Sequence, residues 1–368
     1  MRELKIATVF SGIGSIEHAL KQLNVKHKII FACDNGEREI KQNYDEIITF
    51  CKNNNFSLTQ INEYVKKLYI NTKKINYVKE SYMANYVLNE KDWYEDIRFI
   101  DGKQYANKNI DLFVGGSPCQ SFSISGKRAG LNDARGTLFY DFARMVDELQ
   151  PKVFIYENVP GLLNHDNGNT FRIITEIFDS LGYNWQYQKL NSKDYGIPQN
   201  RTRVFVVGFR KDLVVKKFKF PLKIKLKATV KDFLEKNPDH SYFLGEKGFK
   251  WCTSEKSLKK RVSINKDIAR TEAANQQFNW CGDKVFYPIE EQKWALNDKN
   301  VYVGRFNNVS GVLRKLTPRE CLRLMGYDDS FKIVVNDQQI YRQSGNSIVV
   351  NCMKAILEEI FATEVYDD

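Results

Sequence analysis

Hydrophobic positions along this chain fall into short apolar runs and helical stripes that alternate in βαβ order. The first run, residues 5–10, alternates into a strand, is broken by Ser11-Gly12-Ile13-Gly14-Ser15, and gives way to the amphipathic stretch 16–23. Further strands are predicted at 29–33, 112–114, 153–156 and 204–208. Apolar residues at helical spacing predict helices over 137–149 and 170–181, the second with its apolar face at Phe171, Ile174, Ile177 and Phe178. Each helix would cross between strands of a parallel sheet, so the pattern predicts an α/β fold.

Two intervals break this rhythm. Residues 36–95 are rich in Asn, Lys, Tyr and Ile and read as a long, largely helical segment, with one helix predicted near 60–68. Residues 211 to about 312 have weaker periodicity and scattered aromatics, among them Phe218, Tyr242, Trp251, Trp280 and Trp294. A helix follows, with Thr317 as N-cap, Pro318 at the first helical position and Glu320 completing a capping box. Gln343-Ser344-Gly345-Asn346-Ser347 is predicted to open an apolar C-terminal helix over 348–361.

Length and composition allow a large core and two domains: 368 residues, 42% hydrophobic and 27% charged. No window approaches the 18 or more apolar residues of a membrane span, and Met1-Arg2-Glu3-Leu4-Lys5 runs into a strand without a signal-peptide pattern, so a cytoplasmic protein is expected. Seven scattered cysteines without a Cys-x-x-Cys pair, and four histidines, give little material for a metal site, and reduced thiols are expected. The net charge of +11 lies in one segment, because residues 211–315 hold 23 Lys and Arg against 12 Asp and Glu while the remainder balances. An imbalance confined to one region points to a polyanionic partner. The segment 36–95 carries nine basic and nine acidic residues, so its charge does not mark it as a nucleic-acid arm.

Chemistry is concentrated where predicted strands end. Gly115-Gly116-Ser117-Pro118-Cys119-Gln120 follows the 112–114 run, which sets Cys119 just past a buried strand as a candidate nucleophile. A lone cysteine is ordinarily a small buried hydrophobe. Here a second strand, 153–156, delivers Glu157-Asn158-Val159-Pro160-Gly161 to the same edge, and a thiol beside a carboxylate is a chemically complementary pair. Strand, glycine loop and helix at 5–23 form the first unit of a nucleotide-binding sheet, and Asp34, at the end of the next strand, suits an acid that accepts from ribose hydroxyls. Arg201 and Arg203, at the mouth of the 204–208 strand, alternate onto one face. Residues 121–135 are polar, contain Gly126 and Gly130, and read equally as a surface loop or a lid. A cysteine hydrolase pairing Cys119 with His165 or His240 would leave Glu157 and the glycine loop unexplained.

On these residues the chain resembles the cytosine-5 DNA methyltransferases. The resemblance rests on Gly116-Ser117-Pro118-Cys119-Gln120, Ser121-Phe122-Ser123-Ile124-Ser125-Gly126-Lys127, Arg135-Gly136-Thr137-Leu138-Phe139, Glu157-Asn158-Val159, and Gln199 with Arg201 and Arg203, in the family's order. It implies a Rossmann-like, mostly parallel S-adenosylmethionine-dependent methyltransferase sheet with a smaller, irregular target recognition domain. The expected partition is a catalytic domain over 1–210, interrupted by the family-atypical insertion 36–95, a recognition domain over 211–339, and a C-terminal helix over 340–368 that returns to the catalytic domain.

The same resemblance implies the site. Phe10, Ser11, Gly12, Ile13, Gly14, Asp34, Asp96, Ile97, Gly116, Pro118, Leu138, Asn346 and Ser347 would hold S-adenosylmethionine. Ser15 and Asn35 depart from the family, which often has a glycine at the first position and an adenine-stacking aromatic at the second. Cys119 would be the nucleophile, Glu157 the proton partner of the base, and Arg201 and Arg203 the electrostatic support. Gln120 and Ser123 would touch DNA. Lys223, Lys225 and Lys227 alternate onto one face of a predicted strand, as phosphate contacts would. A thiolate adding to carbon 6 of cytosine activates carbon 5, and cysteine suits this because it ionises near a reference pKa of about 8.5. The base must leave the duplex to react. The expected partner is double-stranded DNA, with a bacterial, nucleoid-associated monomer and no membrane; the enzyme is expected either to belong to a restriction-modification system, with a cognate restriction endonuclease acting on the same site, or to be a solitary methylase. The alternative is an RNA cytosine-5 methyltransferase. The large basic domain, and the lack of the Cys-Phe-Thr segment associated with transfer-RNA-directed relatives, favour DNA.

Overall fold

A computed structural model describes residues 2–117 and 138–367. The chain clusters into two compact units: residues 1–190, 202–221 and 353–368 form the first, and residues 191–201 and 222–352 the second. Residues 191–201 and 340–352, which the sequence reading grouped with the catalytic and C-terminal segments, therefore cluster with the second unit.

In the first unit the elements are β1 (Leu4–Val9), α1 (Ser15–Gln22), β2 (His27–Cys33), α2 (Tyr44–Asn53), α3 (Leu58–Asn71), α4 (Tyr77–Asn85), β3 (Trp93–Tyr94), β4 (Leu112–Gly115), α5 (Leu138–Leu149), β5 (Val153–Asn158), α6 (Asn169–Ser180), β6 (Tyr183–Asn191) and β7 (Thr202–Arg210). They build one seven-stranded sheet in the order β3-β2-β1-β4-β5-β7-β6. Pairings from β3 through β5 are parallel, and β7 runs antiparallel to β5. Near-continuous apolar runs, such as Leu112-Phe113-Val114 and Val153-Phe154-Ile155-Tyr156, form these strands because both faces are covered. Phe113, Phe142, Phe154, Tyr156 and Phe178 centre the core on one face.

The register brings the strand ends together. Val9 pairs with Cys33 on one side and Gly115 on the other, and Gly115 pairs with Tyr156. Phe10, Asp34, Gly116 and Glu157 consequently emerge from one carboxyl edge, around the point where strand order reverses between β1 and β4, which is where open α/β sheets bind ligands. Because β7 is antiparallel, pairing Val204 with Asn158, it delivers its first residues, including Arg203, to that same edge.

The predicted insertion is helical, made of α2, α3 and α4. Asn43 and Ser57 close capping boxes on the first two, and Asn76 caps the third. Ile47, Cys51, Val65 and Tyr69 form a small core there together with Phe99 of the loop that follows.

The second unit contains α7 (Glu246–Thr253), α8 (Glu255–Lys260), β8 (Val262–Ile264), β9 (Gly282–Pro288), β10 (Gly304–Phe306), β11 (Val309–Lys315), α9 (Pro318–Leu324) and α10 (Asp337–Asn346). Its sheet runs β10-β11-β9-β8. Asn307 and Asn308, at φ 49° and 64°, make the tight turn between β10 and β11, a conformation asparagine tolerates better than most residues. Thr317 accepts from the Glu320 amide while Glu320 accepts from that of Thr317, so the predicted capping box forms.

Two sequence expectations need correction. Residues 223–227 form no strand: Ile224 makes one backbone bond, to the Asp194 carbonyl at 3.0 Å, and both Leu222 and Ile224 face solvent. Alternation alone cannot make a strand without a neighbour to complete the ladder. Residues 343–347 do not open the last helix either. They end α10, Ser347 caps it in an extended conformation (φ −72°, ψ 159°), and the apolar helix α11 begins afterwards at Val350–Phe361.

Candidate active site

Phe10 leaves β1 in the left-handed region (φ 52°), and Ser11 anchors the turn. Its amide donates to the Cys33 carbonyl and its Oγ accepts from the Cys33 amide, both at 3.1 Å, with Thr8 Oγ1 2.8 Å away. Gly12, at φ +54°, has nothing within 4 Å of where a Cβ would stand, so the backbone there is open to a ligand. Gly14 is bare for another reason: a Cβ would sit 2.2 Å from the ring of Tyr86. Ile13 is buried.

The Asp34 carboxylate is oriented by two amides, Gly12 N–H at 2.9 Å and Gly36 N–H at 2.8 Å. Burial raises its pKa from the ordinary value, and the Gly36 and Gly12 amides pull the other way. A carboxylate with two such bonds retains lone pairs for two further donors, which suits ribose hydroxyls. Asn35 turns its side chain into its own loop, donating to the Arg38 carbonyl at 2.9 Å and accepting from the Glu37 amide at 3.0 Å.

Asp96 is buried and its charge is compensated. Arg98 Nε lies 2.9 and 3.1 Å from the two oxygens, and Tyr69 donates its hydroxyl at 3.0 Å. Ile97 is buried beside it. The 97–102 loop is clamped from α5, where Arg144 donates to the carbonyls of Ile97 (2.9 Å) and Ile100 (2.8 Å) while pairing with Asp141 and Glu148. Burial pushes Asp141 up to about 6. Leu138, half-buried, opens α5 and packs on the core.

Where β4 meets β5, the carboxylate of Glu157 lies against Gly116. A Cβ on Gly116 would stand 2.8 Å from Glu157 Oε2 and 2.9 Å from its carbonyl, so only glycine leaves room. Arg203 Nε pairs with Glu157 Oε1 at 3.1 Å, with both side chains mostly buried. Ser117 is held twice. Its Oγ lies 2.7 Å from the Tyr156 hydroxyl, and its carbonyl accepts from Asn158 Nδ2 at 2.9 Å. Pro118, Cys119, Gln120 and Ser123 lie outside the described residues.

Arg201 and Arg203, expected on one face, have different partners. Arg201 precedes the ladder of β7 and is buried in the second unit. There it donates to the carbonyls of Glu272 (2.7 Å), Gly345 (3.0 Å) and Ser347 (2.7 Å). Gln199 works alongside it, donating to the Leu324 carbonyl and accepting from the Glu272 amide. Ser347 is buried with its Oγ 2.8 Å from the Tyr327 hydroxyl, and Asn346 is exposed. Lys223, Lys225 and Lys227 are exposed, with Lys223 paired to Asp194 at 3.1 Å. His165 bonds Thr170, and His240 stacks on Trp294. Asn158, Tyr69, Asn76 and Tyr86 had no assigned role in the sequence reading. Only the Arg144 clamp had a visible signal, in carboxylates three and four residues away on a helix.

The sheet order, the glycine loop with its acid, and the Glu157–Arg203 pair beside Gly116 define a methyltransferase-like α/β site. The profile of the C-5 cytosine-specific DNA methylases matches residues 4–362, and the chain belongs to that family of DNA cytosine-5 methyltransferases. Among similar proteins, type II methyltransferase M.HhaI of Haemophilus parahaemolyticus is 36% identical over 260 residues, 68% of this chain and 75% of that protein. Type II methyltransferase M.Bsp6I of Bacillus sp. is 31% identical over 367 residues, covering 97% of this chain and 98% of its own length. In fold the chain is like Spodoptera frugiperda DNMT2, solved as a triple mutant, with TM-score 0.68 and 19% identity over 98% of this chain and 100% of that one. Among the described residues no helix is long and apolar enough to cross a membrane.

Proposed function

We propose that this enzyme takes its methyl group from S-adenosylmethionine and delivers it to one cytosine within a specific sequence of double-stranded DNA, as the modification partner of a type II restriction system. The observation that carries the reading is the Glu157–Arg203 pair against Gly116, at the sheet edge from which the chain continues to Cys119. The open backbone at Gly12 and the two-amide cradle of Asp34 fit the cofactor's sugar. S-adenosylmethionine, when bound there, supplies an electrophilic methyl on a positively charged sulfur.

The chain's own residues do the rest. The Cys119 thiolate forms a bond to carbon 6 of the extruded cytosine, and the displaced electron pair moves towards carbon 5 and ring nitrogen 3. Glu157 shares a proton with nitrogen 3 and accepts from the exocyclic amine, while Arg203 fixes the carboxylate's orientation. Once carbon 5 is methylated, loss of its proton restores the double bond and expels Cys119. Arg201, spent on three carbonyls of the second unit, is a positioning residue. Basic residues over 211–315, including Lys225 and Lys227, contact phosphates and raise affinity without choosing sequence. The protein works as a monomer in a bacterial cytoplasm.

With 5-fluorocytosine at the target, fluorine cannot leave as a cation, so a denaturant-resistant protein–DNA adduct is expected in the presence of S-adenosylmethionine. An adduct formed equally by Cys119→Ala would refute the nucleophile assignment.

A further inference from the structure

The inserted segment 36–95 does not stand apart as a decoration. Its buried polar side chains are aimed at the pieces of the proposed cofactor site. Tyr86 donates its hydroxyl to the carbonyls of Gly14 (2.8 Å) and Ile13 (3.2 Å), and its ring fills the space beside Gly14 that a side chain there would need. Asn76 caps α4 and also donates Nδ2 to the Asp34 carbonyl and to Glu95, each at 2.9 Å. Tyr69 holds Asp96, and the Arg38 guanidinium lies over the Tyr69 ring while pairing with Glu95. Tyr82 donates to Glu17 in α1, directly behind the loop, at 2.6 Å. A buried hydroxyl or amide fixes its partner because leaving either one unpaired is costly. The glycine loop, the proposed ribose acid and Asp96 are therefore each tied to residues 36–95.

We infer that residues 36–95 form a structural wall of the cofactor site, and that Tyr86, Asn76 and Tyr69 are positioning residues that set affinity for S-adenosylmethionine. This inference rests on the cofactor reading above. With Asn35 turned into its own loop, it is Asn76 that ties the Asp34 backbone to residues 36–95.

The test is calorimetric titration of the full-length protein with S-adenosylhomocysteine, the demethylated form of the cofactor. Tyr86→Phe keeps the ring against Gly14 and removes only the hydroxyl. Asn76→Ala removes the tie to Asp34. Each should weaken binding by about 5–20-fold, the equivalent of one or two lost hydrogen bonds. Steady-state KM for S-adenosylmethionine should rise in step, while kcat at saturation changes by about twofold at most and KM for DNA stays put. Phe306→Ala, which breaks the Phe286–Phe306 contact of the second unit's sheet, should lower the melting temperature without this loss of affinity. The inference is overturned if Tyr86→Phe and Asn76→Ala bind as wild type does while Asp34→Ala binds poorly. It is overturned equally if Phe306→Ala loses as much affinity as they do. Failure of the wild-type protein to bind the probe would overturn the cofactor reading itself.

Discussion

Replacing Asn158 by alanine probes the joint between the ends of β4 and β5. The side chain is 3% exposed and makes three contacts. Nδ2 donates to the Ser117 carbonyl and to the Tyr156 hydroxyl, each at 2.9 Å, and Oδ1 accepts from the Val159 amide at 2.8 Å. Tyr156 keeps Ser117 Oγ at 2.7 Å, so it is not stranded by the substitution. The Ser117 carbonyl and the Val159 amide lose these partners, at roughly 1–3 kcal/mol for each buried group left unpaired. Because Val159 is only partly buried and its amide can reach water, the total expected is about 2–4 kcal/mol. At roughly 2–4 °C per kcal/mol for a unit of this size, the melting temperature should fall by about 4–16 °C. Asn158→Asp is the sharper variant, since it preserves shape but replaces the donor with a second acceptor, facing the Ser117 carbonyl with negative charge. It should be worse than alanine by at least ~1 kcal/mol. Calorimetry would read the total, and hydrogen exchange at residues 112–117 and 153–159 would show whether the loosening is local. Because Ser117 lies two residues before Cys119, adduct formation with 5-fluorocytosine should slow as well. A loss under ~0.5 kcal/mol for alanine, or an aspartate variant no worse than alanine, would refute the reasoning.

Two further predictions concern the second unit. Replacing Lys223, Lys225 and Lys227 together by Gln should weaken binding to target and non-target duplexes alike and flatten the slope of log K against log salt by up to ~3. Lys223 alone should contribute least, because Asp194 already partners it, and an unchanged slope would assign the lysines to solubility. Burial pushes Glu272 up to about 8 against an ordinary 4.5, so the folded state keeps a proton that the unfolded chain releases between those values. The resulting stability is complete below pH 4.5 and is lost as pH rises through 8, and Glu272→Gln should be free of that decline. Between pH 5.5 and 8 the two proteins should diverge by about 2–3 kcal/mol. Lys284, held down near 8, acts only above that window. Parallel stability curves would refute the assignment of the proton to Glu272.

Alternation and helical spacing were enough to find β1, β2, β4, β5 and β7 and the helices α1, α5 and α6, because period-two and period-3.6 patterns record which side of each element is dry, but they did not show β3 or the largely polar β6. Strand ends were legible too, so Glu157, Arg203, Asp34 and the glycine loop were named from residue types that suit a sheet edge. The capping box at Thr317 is local chemistry and needed nothing else.

What spans long separations was not legible. Tyr86 meeting Gly14, Asn76 meeting Asp34, and Tyr69 meeting Asp96 join residues 27 to 72 positions apart. Nothing in a hydrophobic pattern marks which tyrosine hydroxyl will find a carbonyl. The same limit explains the errors. Lys223 to Lys227 alternates like a strand, yet strand formation depends on a neighbouring ladder that only the tertiary fold provides or withholds. Arg201 and Arg203 share a sequence parity, but strand β7 begins between them. One arginine therefore joins Glu157 at the carboxyl edge of the sheet, while the other is drawn inward to satisfy three carbonyls of the second unit. Sequence determined which chemistry this protein carries and on which kind of sheet. The tertiary structure alone decided which polar groups hold that chemistry in place, because a buried hydrogen bond is specified by position in space and not by distance along the chain.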